Sequence, residues 1–337
     1  MLRRGATWLV VVLLAVLAPA AAQTQRTAAP HRIEVTAHAI EVFDMRDSAR
    51  RRFGSLDFRG GLELTSKDKE FGGLSSIRME PDGRRFLAVS DKGNWLRGRI
   101  IYRNDHPDGI DEAEMAPVLG PDGRALAARG WYDTESIAQD GGTLYVGIER
   151  VNRIVRLNYG RDGLRARATP IPVPPAVRKL PYNKGLEALV FVPRGQPLAG
   201  TLIAISERGL DAAGHLMAFL IGGPSPGQFA VARHDEFDIS DAALLPSGEI
   251  LLLERRFNWL QGVAVRIRRI PLTQIRPGVV VDGRIIFEAD LGYQIDNMEG
   301  LAVHRAADGT LILTMISDDN FSSIQRTLLL QFALVEE

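Results

Sequence analysis

The chain has no cysteine among its 337 residues. This absence excludes disulfides, thiolate metal sites and cysteine nucleophiles. The six histidines are scattered and never take the H-x-H or H-E-x-x-H spacing that a histidine zinc site would use. An excess of one charge is missing too, because 41 Lys and Arg residues balance 41 Asp and Glu residues. That balance argues against a general nucleic-acid binder, which usually carries a basic excess.

Long apolar runs are also missing from most of the chain. No segment beyond the N-terminus approaches the roughly 18 apolar residues of a membrane span, so we expect no transmembrane segment in the mature chain. The N-terminus has a basic head, an apolar run from Trp8 to Leu17 and small residues at 20–22. This pattern predicts a secretory signal peptide over residues 1–22, and therefore a periplasmic or secreted protein. An uncleaved N-terminal anchor is the alternative.

What the chain does contain is a repeated unit. Each unit has a polar or acidic start, an apolar strand, a Gly-containing turn, a second apolar strand and a charged end. The five units begin near Phe71, Tyr132, Asn183, Asp238 and Asp296. A period of roughly 50–60 residues is typical of a propeller or an array. Four strand-like runs in each repeat, with Asp-Gly turns and no long amphipathic helix, predict an all-β propeller. An open β-sandwich is the alternative.

The ends of the chain suggest how the ring closes. Residues 23–32 are polar and Pro-containing, and we expect a flexible lead-in before one propeller domain over residues 33–337. The fifth repeat lacks a fourth strand at its C-terminal end. A strand from within residues 33–65 is predicted to supply it and close the ring. Five repeats are visible, and a degenerate sixth blade within the N-terminal segment is the alternative.

The repeat places charged residues on one face, which we call the mouth. In a blade, the innermost strand starts on the same face at which the second strand ends. The strand starts carry Glu135, Glu187, Asp241 and Glu299, with Ser75 in the equivalent place of the first unit. The strand ends carry Asp91–Lys92, Glu149–Arg150, Glu207–Arg208, Glu254–Arg255 and Asp318–Asp319. Carboxylates can bind a hard cation, and arginines can clamp an anion. The structural alternative is that these pairs only bridge neighbouring blades.

Two units share a further motif, Asn-Trp-Leu-x-Gly, after the second strand. It is predicted to place Trp95 and Trp259 in the loop that leaves the second strand of each unit. Tryptophans in such loops can stack on a ligand at the mouth, or they can pack their own loop.

Several of these segments together resemble a known family. They are Phe71–Ser76, Ser90–Gly93, Asn183–Leu189 and Met298–Ala302. They are similar to the phytase-like β-propeller family described as having esterase-like activity, over about residues 50–335. The resemblance implies a secreted or periplasmic propeller that hydrolyses an ester or a phosphoester. Propeller phytases bind phosphate through calcium held by acidic residues. The resemblance therefore implies such a role for Asp91, Glu135, Glu187, Glu207 and Glu299.

The sequence thus predicts a hydrolase that acts on a small anionic ester or phosphoester at the mouth, with calcium or another divalent cation as candidate cofactor. The candidate catalytic residues are Glu135, Glu187, Glu299 and Asp241. The candidate substrate-binding residues are Lys92, Arg150, Arg208, Arg255, Asn183, Trp95 and Trp259. The candidate metal ligands are Asp91, Glu149, Glu207 and Asp318. The alternative is a non-catalytic propeller of the cell envelope that binds a ligand or a protein.

Overall fold

The structure is a computed structural model that describes residues 29–335. The predicted signal peptide lies outside these residues. The first strands are β1 (His31–Arg32), β2 (Val35–Ile40), β3 (Arg52–Phe53) and β4 (Leu56–Ser66). Strand β1 lies within the expected flexible lead-in. That expectation is wrong for its last two residues, because His31 and Arg32 pair with Met115 and Glu114 at a sheet edge.

The remaining strands follow in the order of the repeats. The first two blades contain β5 (Leu74–Met79), β6 (Arg85–Ser90), β7 (Asn94–Arg103), β8 (His106–Pro117), β9 (Thr134–Asp140), β10 (Thr143–Ile148), β11 (Arg153–Asn158) and β12 (Thr169–Pro170). The third and fourth contain β13 (Leu186–Phe191), β14 (Thr201–Leu210), β15 (Leu216–Gly222), β16 (Gly227–Val231), β17 (Asp238–Leu245), β18 (Glu249–Asn258), β19 (Gly262–Pro271), β20 (Val280–Val281) and β21 (Arg284–Ala289). The fifth contains β22 (Met298–Arg305), β23 (Leu311–Ser317) and β24 (Thr327–Leu334).

Helical structure is confined to short connections. The α-helix α1 spans Tyr159–Asp162, and single 3₁₀ turns span Leu126–Arg129, Glu149–Val151, Gly163–Arg165, Val177–Lys179 and Leu272–Gln274.

The strands form five sheets, and this confirms the predicted all-β propeller. The innermost strands are β5, β9, β13, β17 and β22, and each begins an antiparallel meander that runs outward. Strand β20 adds to the third sheet, in which it runs parallel to β16. The described residues form five blades and no sixth, because the N-terminal strands join the first and fifth sheets.

The ring closes as the repeat pattern predicts. Strand β4 pairs antiparallel with β24 from Leu56 opposite Leu334 to Leu64 opposite Thr327. It thereby supplies the fourth strand of the fifth blade, and β2 adds a fifth strand outside it. Alternate side chains of a strand face opposite sides of the sheet, and the Leu and Phe residues of β4 are buried between blades.

The N-terminal segment also fills the gap between the last two blades. Phe43 is fully buried, with its ring centroid 5.0 Å from that of Phe332 and 5.9 Å from that of Phe287. These side chains come from the N-terminal segment, the fifth blade and the fourth blade. Aromatic packing of this kind supports closure in addition to the backbone ladder.

An ion pair fills the central channel. Arg78 of β5 lies 3.1 Å from the carboxylate of Asp241 in β17. Arg78 also donates to the backbone carbonyls of Leu189 (3.2 Å) and Leu301 (2.9 Å). Asp241, which is fully buried, accepts from the hydroxyl of Ser76 and from the N–H of Leu301, both at 2.9 Å. The pair therefore joins the inner strands of blades one, three, four and five.

This network predicts a large stability loss on removal of the cation. Arg78→Met is expected to lower the free energy of unfolding by about 3–5 kcal/mol, because it leaves Asp241 buried without its counter-charge. Urea unfolding measures the change. The control is Arg103→Met, which removes an exposed ion pair to Asp108 and is expected to cost less than about 1 kcal/mol. Equal stability of Arg78→Met and the wild type would contradict a bridging role.

Candidate active site at the propeller mouth

A β-bulge lies near the start of every inner strand. In the second blade, Ile148 pairs with Thr134 and Gly147 pairs with Ser136, so that Glu135 is the extra residue between them. The five bulged residues are Ser75, Glu135, Glu187, Ser240 and Glu299. A bulge re-aims a side chain away from the regular alternation of the strand. Three of the five are glutamates, and the charge of neighbouring glutamates raises the pKa of Glu135 and of Glu187.

The predicted position of Asp241 at the mouth is wrong. Ser240 occupies the bulge of the fourth blade, and Asp241 follows one residue later. A shift of one residue in a strand moves a side chain to the other face, and here it places Asp241 in the channel against Arg78. The order Ile-Ser-Asp in this unit, with Ser240 matching Ser75, is the sequence signal that could have found it.

A second tier of charged residues lies in the second strand of each blade or directly after it, one residue beyond the partner of the residue that precedes the bulge. Its members are Asp91, Glu149, Glu207, Arg255 and Asp318. The first, second, third and fifth blades each provide a carboxylate, whereas the fourth blade provides an arginine. The predicted pair Glu254–Arg255 is therefore divided. Glu254 is wrong as a mouth residue, because it is buried within its own blade and accepts a 2.9 Å hydrogen bond from Arg268 Nε.

Arg255 bridges carboxylates that belong to different blades. Its Nε lies 3.1 Å from Glu299 Oε1, and its Nη2 lies 3.4 Å from Glu207 Oε1. One guanidinium thus joins a bulge carboxylate of the fifth blade to a second-tier carboxylate of the third blade. Their negative charge is only partly neutralised by this arginine.

The pKa values of these carboxyls reflect burial and crowding. Burial raises the pKa of Glu299 to about 8, and it raises the pKa of Glu149 and of Asp91 to about 7. Burial is also the main cause of the raised pKa of Glu135 and of Glu187, and neighbouring glutamates add to it. Desolvation and like charge both disfavour the ionised form, so part of the cluster holds protons near neutral pH.

Asp91 Oδ1 and Glu299 Oε2 are buried carboxylate oxygens of the mouth that have no hydrogen-bond partner. By contrast, Glu149 Oε1 accepts from the N–H of Gly185 at 2.6 Å, and Asp318 Oδ1 accepts from the N–H of Asn320 at 2.6 Å. A buried polar atom without a partner needs a proton, a water or a ligand to satisfy it. The burial of Asp318 raises its pKa to about 6.

The rim cations of the first two blades contact aromatic rings. Lys92 Nζ lies 2.8 Å from the ring centroid of Phe321. The guanidinium carbon of Arg150 lies 4.4 Å from the centroid of Tyr132 and 4.8 Å from that of Tyr182. Cation–π contacts orient both cations while they keep their charge.

Three further residues that the sequence places near the mouth lie on the third and fifth blades. Arg208 forms a hydrogen-bonded ion pair with Asp238. Asn183 is exposed in the loop before β13 and has a positive φ of 54°. Asp319 accepts from the N–H of Gly73 at 2.9 Å and so links the fifth blade to the first. All three residues lie in or beside the loops that surround the mouth.

The two tryptophans are not equivalent, and the predicted ligand contact is wrong for Trp95. Trp95 lies inside β7 opposite Val89, fully buried between the first two blades. Trp259 lies at the tip of the β18–β19 hairpin and is 92 % exposed. The two hairpins differ in length. Strand β7 begins at Asn94, so Trp95 lies inside it, whereas β18 continues to Asn258, so Trp259 lies in the turn that follows.

The mouth has the chemistry of a cation site without a formed coordination shell. Its carboxylate oxygens are the ligands that calcium prefers. Among residues 29–335, however, no group of three or more His, Cys, Asp or Glu side chains is arranged to hold a metal ion. Calcium therefore stays a prediction from the family resemblance.

The family resemblance is confirmed by comparison. A family model described as "Phytase-like: Esterase-like activity of phytase" matches residues 69–321, which is more than half of the chain. The chain belongs to this phytase-like family. A comparison with curated protein sequences finds no match.

Solved structures with a similar outline are distant from this phytase-like chain. The glutaminyl cyclase of Myxococcus xanthus is 11% identical, with 79% of this chain and 92% of that chain covered and a TM-score of 0.41. The PQQ-bound aldose sugar dehydrogenase of Streptomyces coelicolor is 14% identical, with 90% and 99% covered and a TM-score of 0.40. We take no functional conclusion from these two. In the part of the chain that the structure describes, no helix is long and apolar enough to cross a membrane.

The raised pKa values predict a stability that falls as pH rises. The pKa of Glu299 is about 8 in the folded state against an ordinary 4.5, so the folded chain keeps a proton that the unfolded chain loses. This contribution is complete below the ordinary pKa and is lost as pH rises through the folded one. Glu299→Gln is expected to stabilise the protein by about 1–3 kcal/mol at about pH 8, and by less at about pH 5.

Urea unfolding at the two pH values, without divalent cations, measures this effect. The control is Glu112→Gln, whose carboxylate is 47% exposed in a surface ion pair and should give the same small change at both values. A Glu299→Gln effect that is independent of pH would contradict the raised pKa.

Proposed function

We propose that the mouth is the active site of a hydrolase acting on an anionic ester or phosphoester. One observation carries the proposal, which is the cluster of buried carboxyls with pKa values near neutral around Arg255 in a chain of the phytase-like family. A general acid or base works best when its pKa lies near the working pH. Such a cluster holds protonated and ionised carboxyls side by side.

The three bulge glutamates take the acid and base roles. Glu299, protonated at neutral pH, donates a proton to the leaving oxygen of the ester. Glu187 or Glu135 accepts a proton from the attacking water in its ionised form, which its raised pKa makes less populated than in an ordinary glutamate. Arg255 lies beside Glu299 and stabilises negative charge that develops on the reacting group. Asp241 has no part in this chemistry, because it is bound to Arg78 in the channel.

The same carboxylates would repel an anionic substrate if all of them were ionised. Bound protons reduce this repulsion, and Arg150, Arg208 and Lys92 at the rim provide positive charge outside the cluster. A divalent cation, held by Asp91, Glu149, Glu207 and Asp318, would supply further neutralisation and polarise the ester. The N-terminal pattern supports action in the periplasm or outside the cell.

Hydrolysis by residues 23–337 tests the proposal. Aryl phosphates and aryl carboxyl esters are assayed after treatment with a chelator, and again with added calcium. Glu187→Gln is expected to lower kcat by about 10²–10⁴ on the substrate that is turned over, because it removes a general base without changing shape. Glu112→Gln, an exposed carboxylate far from the mouth, is the control and should keep its activity.

The failure of both substrate classes to react would overturn the proposal, and so would equal rates for Glu187→Gln and the wild type. Calcium-dependent thermal stabilisation without turnover would favour the alternative, a propeller that binds a ligand without chemistry.

A further inference from the structure

The exposed apolar side chains of this protein are concentrated around the mouth. The mouth is surrounded by the turns between second and third strands and by the connections from one blade to the next. Of eleven large hydrophobic side chains exposed in residues 29–335, seven lie in or next to these loops. They are Tyr182, Leu210, Phe257, Trp259, Leu260, Leu291 and Ile324. An eighth, Met45, lies beside them, since its N–H donates to the carbonyl of Gly292 at 3.3 Å.

The β18–β19 hairpin carries the most exposed pair. Trp259 is 92% exposed and Leu260 is 95% exposed, at the end of strands that continue past Arg255. The turn has its own hydrogen bonds, because Leu260 N–H donates to Asn258 Oδ1 at 2.8 Å and Arg256 bonds Gln261 at 3.2 Å. The two apolar side chains are thus held in water at the tip of a hydrogen-bonded turn.

The arrangement of these side chains distinguishes a bilayer from a protein partner. They project from several loops of the second to fifth blades, which surround the mouth. The centre of a protein interface is a contiguous, closely packed group of anchors. A bilayer, in contrast, accepts separate apolar tips, and Trp and Tyr are favoured at its interface.

Positive charge accompanies these protrusions. Exposed Arg178 and Lys179 precede Tyr182, and exposed Arg46 and Arg50 follow Met45, where the two arginines share one carboxylate, that of Asp44. Basic side chains beside apolar tips are attracted to anionic headgroups. The carboxylates of the mouth are buried inside this ring, so that the rim meets the headgroups first.

We propose that the mouth face docks on the surface of an anionic phospholipid bilayer, with Trp259 and Leu260 entering the boundary between headgroups and acyl chains. The mouth then faces the phosphodiesters of the lipid headgroups. If the proposed hydrolase function is correct, on which this step rests, an ester of a lipid headgroup is the class of substrate that docking presents.

Vesicle sedimentation tests the docking. Residues 23–337 are mixed with vesicles of phosphatidylcholine and phosphatidylglycerol, and with vesicles of phosphatidylcholine alone. Binding is expected to be stronger to the mixed vesicles and to weaken with salt. In a Trp131→Phe background, brominated lipid should quench the fluorescence of Trp259, since Trp95 is buried.

A matched pair of double variants identifies the face. Leu260→Ser with Ile324→Ser changes two side chains that are 95% and 88% exposed around the mouth. It is expected to weaken vesicle binding about tenfold or more. Ile101→Ser with Ile285→Ser is the control. It changes side chains that are 42% and 47% exposed at strand ends remote from the mouth, and it should leave binding unchanged.

Three results would overturn the docking proposal. They are no binding of the wild type to mixed vesicles, equal loss in both double variants, and a self-association in sedimentation velocity that the Leu260→Ser/Ile324→Ser variant abolishes. The last would make this face a protein interface. Glu187→Gln should bind vesicles like the wild type, and the Leu260→Ser/Ile324→Ser variant should hydrolyse a soluble ester like the wild type. Docking and hydrolysis can therefore fail independently.

Discussion

The ion pair between Arg78 and Asp241 closes the central channel and so separates the mouth from the other end of the propeller. Inner strands of a five-bladed ring converge closely, and the guanidinium of Arg78 satisfies backbone carbonyls from two other blades as well as a buried carboxylate. The pair therefore serves as a shared hydrogen-bonding partner for most of the ring. It also blocks the channel below the mouth. The carboxyls of the mouth are buried, and desolvation holds protons on part of them near neutral pH.

The buried charge is neutralised in the channel but only partly neutralised at the mouth. In the channel, Asp241 has a cation and several donors, which is the usual condition for a buried charge. At the mouth, Arg255 faces more carboxylates than it can neutralise, and Glu299 keeps a buried oxygen without a partner. The apolar contacts between blades offset the free-energy cost of burying these partly neutralised carboxylates. Strain of this kind is expected where chemistry or ligand binding requires it.

The sequence was sufficient for features that repeat and insufficient for features that depend on one residue of register. The period, the shared face of strand starts and strand ends, and the missing fourth strand were all visible along the chain. The bulge was not, because it is defined by hydrogen bonds to a neighbouring strand. Its position decides that Ser240, and not Asp241, lies at the mouth. The same limit applied to Trp95 and Trp259, whose shared motif falls inside a strand in one blade and at a turn in another.

Closure of the fifth blade by strands from both ends of the chain governs how the protein can fold. Strand β4 finds its partner β24 only after nearly the whole sequence has been synthesised. Contacts of such high sequence separation are costly to form early. Until then, β4 and the incomplete fifth blade present open strand edges, which are templates for aggregation. A chain that ends before Thr327 would therefore lose more than one strand, because it would keep an apolar strand with no place to pair.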